Sequence, residues 1–250
     1  MGTTVRAAWR RARAAARPPI PSPNIWNWPE VYEQENLAQD ADGTLWAALR
    51  EAVRWAGRDV VDVGCGDGFH LPLFAAEAAA VVGVEPHPPL VERARRRVAD
   101  LPGVRVHEAG AAALPLPDAS ADLVHARTAY FFGPGCEPGL AEADRVLRPG
   151  GMLAVVDLDA TVPPYGDWMC ADIPHYDPAR VERFFGDQGF TLRRVLAPWR
   201  FPDRGTLEAV LRIEFSARTA ARALAATPGL TLTVGYRLHV RRRTLRVSPG

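Results

Sequence analysis

Apolar and polar positions along this chain alternate between two spacings. Residues 60–63 form a short run of strand type, and glycines then stand at every second position, Gly64, Gly66 and Gly68. After them Phe69, Leu71, Leu73, Phe74 and Ala75 continue at helical spacing. The same alternation repeats downstream. Apolar runs at 80–84, 104–106, 122–125 and 153–158 read as buried strands. Between them, 88–99 carries Leu90, Val91, Ala94 and Val98 on one helical face, and 140–147 reads as a further helix. Strands alternating with helices predict a parallel sheet wrapped on both sides. Ahead of the first strand, Pro29 followed by Glu30 and Glu33 marks a helix start, and 44–56 places Leu45, Ala48, Leu49, Ala52, Val53 and Ala56 on one face. Beyond 158 the pattern predicts a capped helix from Asp177, a strand at 190–196, helices at 203–213 and 216–226, and a last alternating strand at 230–242.

The glycine turn carries the candidate chemistry. Glycines at the carboxyl end of a buried parallel strand let the backbone turn sharply and let a ligand touch the main chain. Open α/β sheets bind their ligands in that place. The dinucleotide pattern wants G-x-G-x-x-G, whereas here the third glycine comes one residue early and Phe69 takes its place. The bland alternative is a glycine-rich turn with no ligand. Glu85 ends the second strand 21 residues past Gly64. An ionised acid only accepts hydrogen bonds, so at that tip it suits the two hydroxyls of a ribose; a helix-start acid favoured by the dipole is the alternative. Pro86 would offer an apolar face to a base.

Composition narrows the classes. The length of 250 residues fits one domain, and a net charge of +1 exerts no global pull toward nucleic acid or membrane. All 30 basic residues are arginine, which excludes lysine-nucleophile and Schiff-base chemistry and fits a GC-rich bacterial genome. Cys65, Cys136 and Cys170 lie far apart with no C-x-x-C, and the histidines show no ligand spacing. We therefore expect no metal site and a reducing, cytoplasmic setting. No apolar run approaches the ~20 residues of a membrane helix. Residues 1–23, acid-free and holding five arginines among alanines, read as a basic tail stopped by prolines, with an amphipathic surface helix or a transit-like peptide as alternatives.

The run D-V-G-C-G-D-G at 62–68 resembles the first motif of class I S-adenosylmethionine (SAM)-dependent methyltransferases, and R-V-L-R-P-G-G-M-L at 145–153 resembles the motif that opens their fifth strand. The resemblance covers residues 57–158 closely and the remainder by element order. It implies a doubly wound α/β sheet, mostly parallel and seven-stranded with a C-terminal antiparallel strand, with a helical cap over 24–56, a SAM core over 57–158 and substrate-side elements over 159–250. It further implies SAM as cofactor, held by Asp62, Gly64, Cys65, Gly66, Gly68, His70, Glu85, Pro86 and Arg127. The family places an acid before an A-L-P run to bind the adenine amino group. Here Gly110 stands in that place, so Ala111 and Ala112 would read adenine through their main chain, or Glu108 if the loop is shifted.

A small-molecule methyl acceptor is the expected partner, with nucleic acid and membrane not expected. Trp26, Trp28 and Tyr32 would line its pocket or staple the core. Candidate bases are His70, His125 and His175, with Tyr130 and Tyr176, while Tyr130 and Phe131 could also shape the pocket. His70 could instead cap a helix or touch the SAM carboxylate, and His125 could be a core histidine. Arg127 could hold the SAM carboxylate or an anionic substrate. Arg93, Arg95, Arg96 and Arg97 read mostly as a solvated helix face, Val162 to Tyr165 as a proline loop, and Arg241, Arg242, Arg243 and Arg246 as the guard of an edge strand. A nucleic-acid or protein methyltransferase and a SAM-fold module without catalysis are the alternatives.

Overall fold

The structure, a computed structural model, describes residues 22–130 and 133–243. The basic stretch at 1–21, Phe131 and Arg246 lie outside the described residues. In chain order the elements are α1 (Pro23–Asn27), α2 (Pro29–Ala38), α3 (Thr44–Ala52), β1 (Asp59–Val63), α4 (Leu71–Ala75), β2 (Ala80–Glu85), α5 (Pro88–Arg97), β3 (Val104–Glu108), β4 (Ala121–Arg127), α6 (Glu137–Val146), β5 (Leu147–Leu158), α7 (Tyr165–Asp172), α8 (Pro178–Asp187), β6 (Thr191–Arg200), α9 (Arg204–Glu214), α10 (Ala217–Ala226) and β7 (Thr231–Arg242). The seven strands form one sheet in the order β3-β2-β1-β4-β5-β7-β6.

The described chain divides into two compact units, one of residues 55–154 with 240–243, the other of residues 22–54 with 155–239. In the first, β1 pairs in parallel with β2 and with β4, so Val60 lies between Val81 and Leu123. Burial on both faces explains why β1 reads as an unbroken apolar run. The order reverses beside β1, since the chain goes outward to β3 and returns to β4. Such a reversal opens a crevice at the strands' carboxyl ends.

In the second unit the Asp159 N–H donates to the Gly235 carbonyl at 2.8 Å, and in the first the Arg243 N–H donates to that of Gly151 at 2.8 Å. The rising index on β5 against the falling index on β7 makes β7 antiparallel. Caps follow the sequence. Asp177 accepts from the Arg180 N–H at 3.0 Å, Asp203 from Thr206 at 2.7 Å, and Ser216 opens α10. Tyr165, at the end of the proline loop, is buried against Trp199 and Phe215 and donates to Glu214 at 2.8 Å. Burial pushes the Glu214 carboxyl up, and Asn24 also donates to it.

Several boundaries differ from expectation: α6 begins at Glu137 rather than 140, and β6 runs on to Arg200 rather than 196. The helix at 44–56 stops at Ala52, because Val53 is extended at φ −139° and ψ 135°. The fifth strand begins at Leu147, not 153: Gly150 and Gly151, expected to form a turn, pair with Arg243 of the returning chain. A long-range partner satisfies the backbone where local propensity favours a break.

Candidate functional site

The crevice of the first unit is built around the turn from β1 to α4. Gly64 and Gly68 have φ of +74° and +81°. A Cβ on Gly64 would lie 2.9 Å from the Ala129 Cβ, and one on Gly68 would lie 3.0 and 3.1 Å from the Ala94 Cβ and Cα. Both conformation and space therefore demand glycine. The Cys65 thiol faces away from the crevice, into the core beside Gly83, and burial raises its pKa well above the usual value. Among expected cofactor residues it can offer only its main chain.

Glu85, 5% exposed, closes the turn from β2. One carboxylate oxygen accepts from the Gly66 N–H at 3.1 Å and the other from the His87 N–H at 2.9 Å. Burial raises its pKa, and these two hydrogen bonds partly oppose the rise. Each oxygen keeps acceptor capacity for a further donor. Asp62 and Asp67 are buried in the same turn, and with Glu85 they act electrostatically on the Cys65 thiol. Of these carboxylates, Asp67 is ion-paired with Arg97 at 2.9 Å.

Asp62 and His125 face each other across β1 and β4 and meet at 2.7 Å between Oδ1 and Nδ1. His125 is 1% exposed and packs on Phe74, with ring centroids 5.1 Å apart. His70, at the start of α4, makes no capping bond from its side chain. Burial first, and then the charge of Arg127, hold its imidazole well below the usual value, so it is neutral near pH 7. Arg127 ends β4, half-buried. Tyr130 is buried under α6, where a Cβ on Gly139 would touch its ring at 2.8 Å. Burial pushes the Tyr130 phenol up, and its hydroxyl has no hydrogen-bond partner. Pro86, Ala111 and Ala112 are half-buried beside the crevice's second loop, where the Ala109 N–H donates to the Glu85 carbonyl at 3.1 Å. A Cβ on Gly110 would meet nothing within 4 Å, and Glu108 is exposed.

The second unit holds the other expected residues. His175 is exposed in the loop between α7 and α8, while Tyr176 is buried and accepts from Arg237. Trp28 is exposed, and Trp26 and Tyr32 are half-buried. Asp159 binds Arg194 at 3.1 Å. Among the described residues no group of three or more His, Cys, Asp or Glu side chains is arranged to hold a metal ion, and no helix is long and apolar enough to cross a membrane.

Three arginines escaped the sequence. Arg97 donates to the Asp67 carbonyl at 3.1 Å and to its carboxylate at 2.9 Å, and Arg95 donates to the Val106 carbonyl at 3.2 and 3.1 Å. Arg95 and Arg97 of the arginine run on α5 are thus bound to neighbouring segments. Helical spacing held the signal, since Arg97 lies three residues past Ala94 and seven past Leu90 on the inward stripe. Arg145 donates to the Leu114 and Leu116 carbonyls and pairs with Glu142, which in turn accepts from the Leu114 N–H at 3.0 Å. No motif announces that clasp.

A glycine turn, an acid at the tip of the next strand and a reversal of strand order are shared by nucleoside-binding α/β folds, and residues 61–155 match the methyltransferase domain family. That segment resembles a methyltransferase domain, and the seven-stranded sheet shares the fold of solved SAM-dependent methyltransferases. The chain is similar to a probable SAM-dependent methyltransferase of Mycolicibacterium smegmatis, 39% identical over 106 residues, which are 42% of this chain and 40% of the relative. It is also similar to a 27-O-demethylrifamycin SV methyltransferase of Amycolatopsis mediterranei, 38% identical over 115 residues, 44% of this chain and 42% of that one. Among solved structures, the YcgJ protein of Bacillus subtilis shares the fold at a TM-score of 0.60 and 18% identity, covering 81% of this chain and 99% of that one. The chain spans less than half the length of the curated relatives it matches.

Proposed function

We propose that the chain is a SAM-dependent methyltransferase whose acceptor is a small molecule. The observation that carries the cofactor is the Glu85 carboxylate, buried at the tip of β2 and tied to the Gly66 and His87 amides. That arrangement fits the two hydroxyls of a ribose and presents the acid already oriented. The third glycine, one residue earlier than the dinucleotide spacing, favours a nucleoside sulfonium over a dinucleotide. Arg127 at the end of β4 and neutral His70 suit the cofactor's carboxylate. Ala111 and Ala112 would read adenine through their main chain.

Bound SAM supplies an electrophilic methyl group, transferred in line to the acceptor atom. The chain's share is to align donor and acceptor and to exclude water. A side-chain base is required only for an acceptor whose proton is held tightly. His125 is committed to Asp62, and the buried Tyr130 phenol is a reluctant acid, so both suit packing better than proton transfer. Exposed His175 remains our candidate base. The rifamycin relative, by its name, methylates a small molecule, which supports that acceptor class here. For a nucleic-acid or protein acceptor the warrant is the basic N-terminal stretch, which lies outside the described residues, together with the C-terminal arginines. Arg241 is paired with Asp144 at 2.6 Å, and Arg243 donates to the Leu147 carbonyl. We further propose a cytoplasmic enzyme whose residues 24–250 act as one catalytic domain.

Incubation with methyl-tritiated SAM and fractionated cell extract tests this reading. Label in the low-mass fraction is expected. Label in RNA or protein would replace the acceptor class, and SAM binding without label would leave a module lacking catalysis.

A further inference from the structure

We propose that Arg97 is a positioning residue for the cofactor, holding the glycine turn in its binding shape from the far end of α5. The inference rests on the SAM reading of that turn. The Arg97 Nε donates to the Asp67 carbonyl at 3.1 Å and Nη2 to the Asp67 carboxylate at 2.9 Å, so one guanidinium grips both the backbone and the side chain of one residue. Its carbon lies 5.5 Å from the centre of the Phe69 ring, a cation–π distance. The grip therefore brackets Gly68, and Gly68 itself rests on Ala94, one turn earlier on the same helix.

The opposite end of α5 serves the other wall. His87, its N-cap residue, gives its N–H to Glu85, and the other Glu85 oxygen takes the Gly66 N–H. One helix of ten residues is thus tied to the turn directly through Ala94 and Arg97 and indirectly through Glu85. The planar guanidinium fork fits this double grip, and an ammonium offers the charge without the fork. Asp67 is 2% exposed. Losing the guanidinium would withdraw a charge-assisted partner from a buried carboxylate, which then gains by moving toward water and taking the turn with it. The Arg97 side chain is itself 27% exposed, so its replacement leaves no void in the core.

The test compares R97A and R97K with R96A, a change at an exposed neighbour. Amide hydrogen exchange is followed without ligand, SAM affinity is measured by calorimetric titration, and methyl transfer is followed with the low-mass extract fraction that takes up label as the acceptor. R97A is expected to raise exchange across residues 64–69 roughly tenfold or more while leaving β1 to β4 protected, since local opening is separable from global unfolding. SAM should bind roughly 10- to 100-fold more weakly, with kcat at saturating SAM changed by less than about threefold, the signature of lost binding alone. R97K should fall between R97A and the natural protein, and R96A should match the natural protein. Unchanged exchange at 64–69 in R97A, or a rise spread over every strand, overturns the proposal. If the natural protein does not bind SAM, the cofactor reading fails on its own, and the exchange comparison still decides whether Arg97 holds the turn.

Discussion

The two loops that border the crevice are held very differently. The turn at 64–69 is fixed at nearly every residue: Gly64 against Ala129, Gly66 by Glu85, Asp67 by Arg97, Gly68 against Ala94. The loop after β3 is anchored at its ends, by Ala109 on Glu85 and by Leu114 on Glu142 and Arg145. Between those anchors the Ala113 N–H donates to the Gly110 carbonyl at 3.1 Å, and the side-chain position of Gly110 faces open space. A wall that must meet a ribose and a sulfonium at fixed distances gains from pre-organisation. A wall that meets a flat base through its main chain needs shape more than fixed side chains. The missing acid at Gly110 marks this as the adaptable side.

The sharpest way to break this contrast is Gly68→Ala. The new methyl would lie 3.0 Å from the Ala94 side chain and 3.1 Å from its Cα, at a φ of +81°. We expect SAM affinity to fall roughly 100-fold or more and stability to fall by about 1–3 kcal/mol. Calorimetric titration and thermal unfolding measure both, and an affinity within threefold of normal would mean the turn has slack.

Glu85→Ala comes next. It removes the ribose acceptor and leaves the Gly66 and His87 amides without their partner, for an expected loss of roughly 10- to 100-fold in SAM affinity. Acidity should act on the same group. Burial raises the Glu85 pKa, and the ionised form is the one that accepts the hydroxyls. Affinity is therefore complete above that raised value and declines as pH falls through it, beginning above the usual carboxylate range. Binding isotherms across pH should show the decline in the natural protein and lose it in Glu85→Gln.

The smallest effect is expected on the loose wall. Gly110→Asp places the family's acid where nothing stands within 4 Å, at a φ that any residue adopts. SAM affinity should rise by up to about tenfold, the worth of one charge-assisted hydrogen bond, with the melting temperature unchanged. No gain would mean that adenine is held at another part of the loop.

How much of this was legible depended on whether a contact was local. The β1 run, its glycines and Glu85 could be read because strand, turn and tip follow one another within a short stretch. Capping by Asp177 was legible for the same reason. Arg97 was read as solvated because a run of arginines hides one that reaches 30 residues back to Asp67. The strand start at Leu147 was hidden because Pro149-Gly150-Gly151 signals a break, and the partner that overrides it, Arg243, lies far along the chain. His125 shows the same limit. Its spacing admits a base, and only its register opposite Asp62 reveals the partner that occupies it.

The account turns on the ligand the crevice selects, and parallel calorimetric titrations with SAM and with NAD measure that choice directly. It predicts saturable one-to-one binding of SAM, weakened by Glu85→Gln, and no heat of binding from NAD. Saturable binding of NAD, or SAM binding that is indifferent to Glu85, would contradict it.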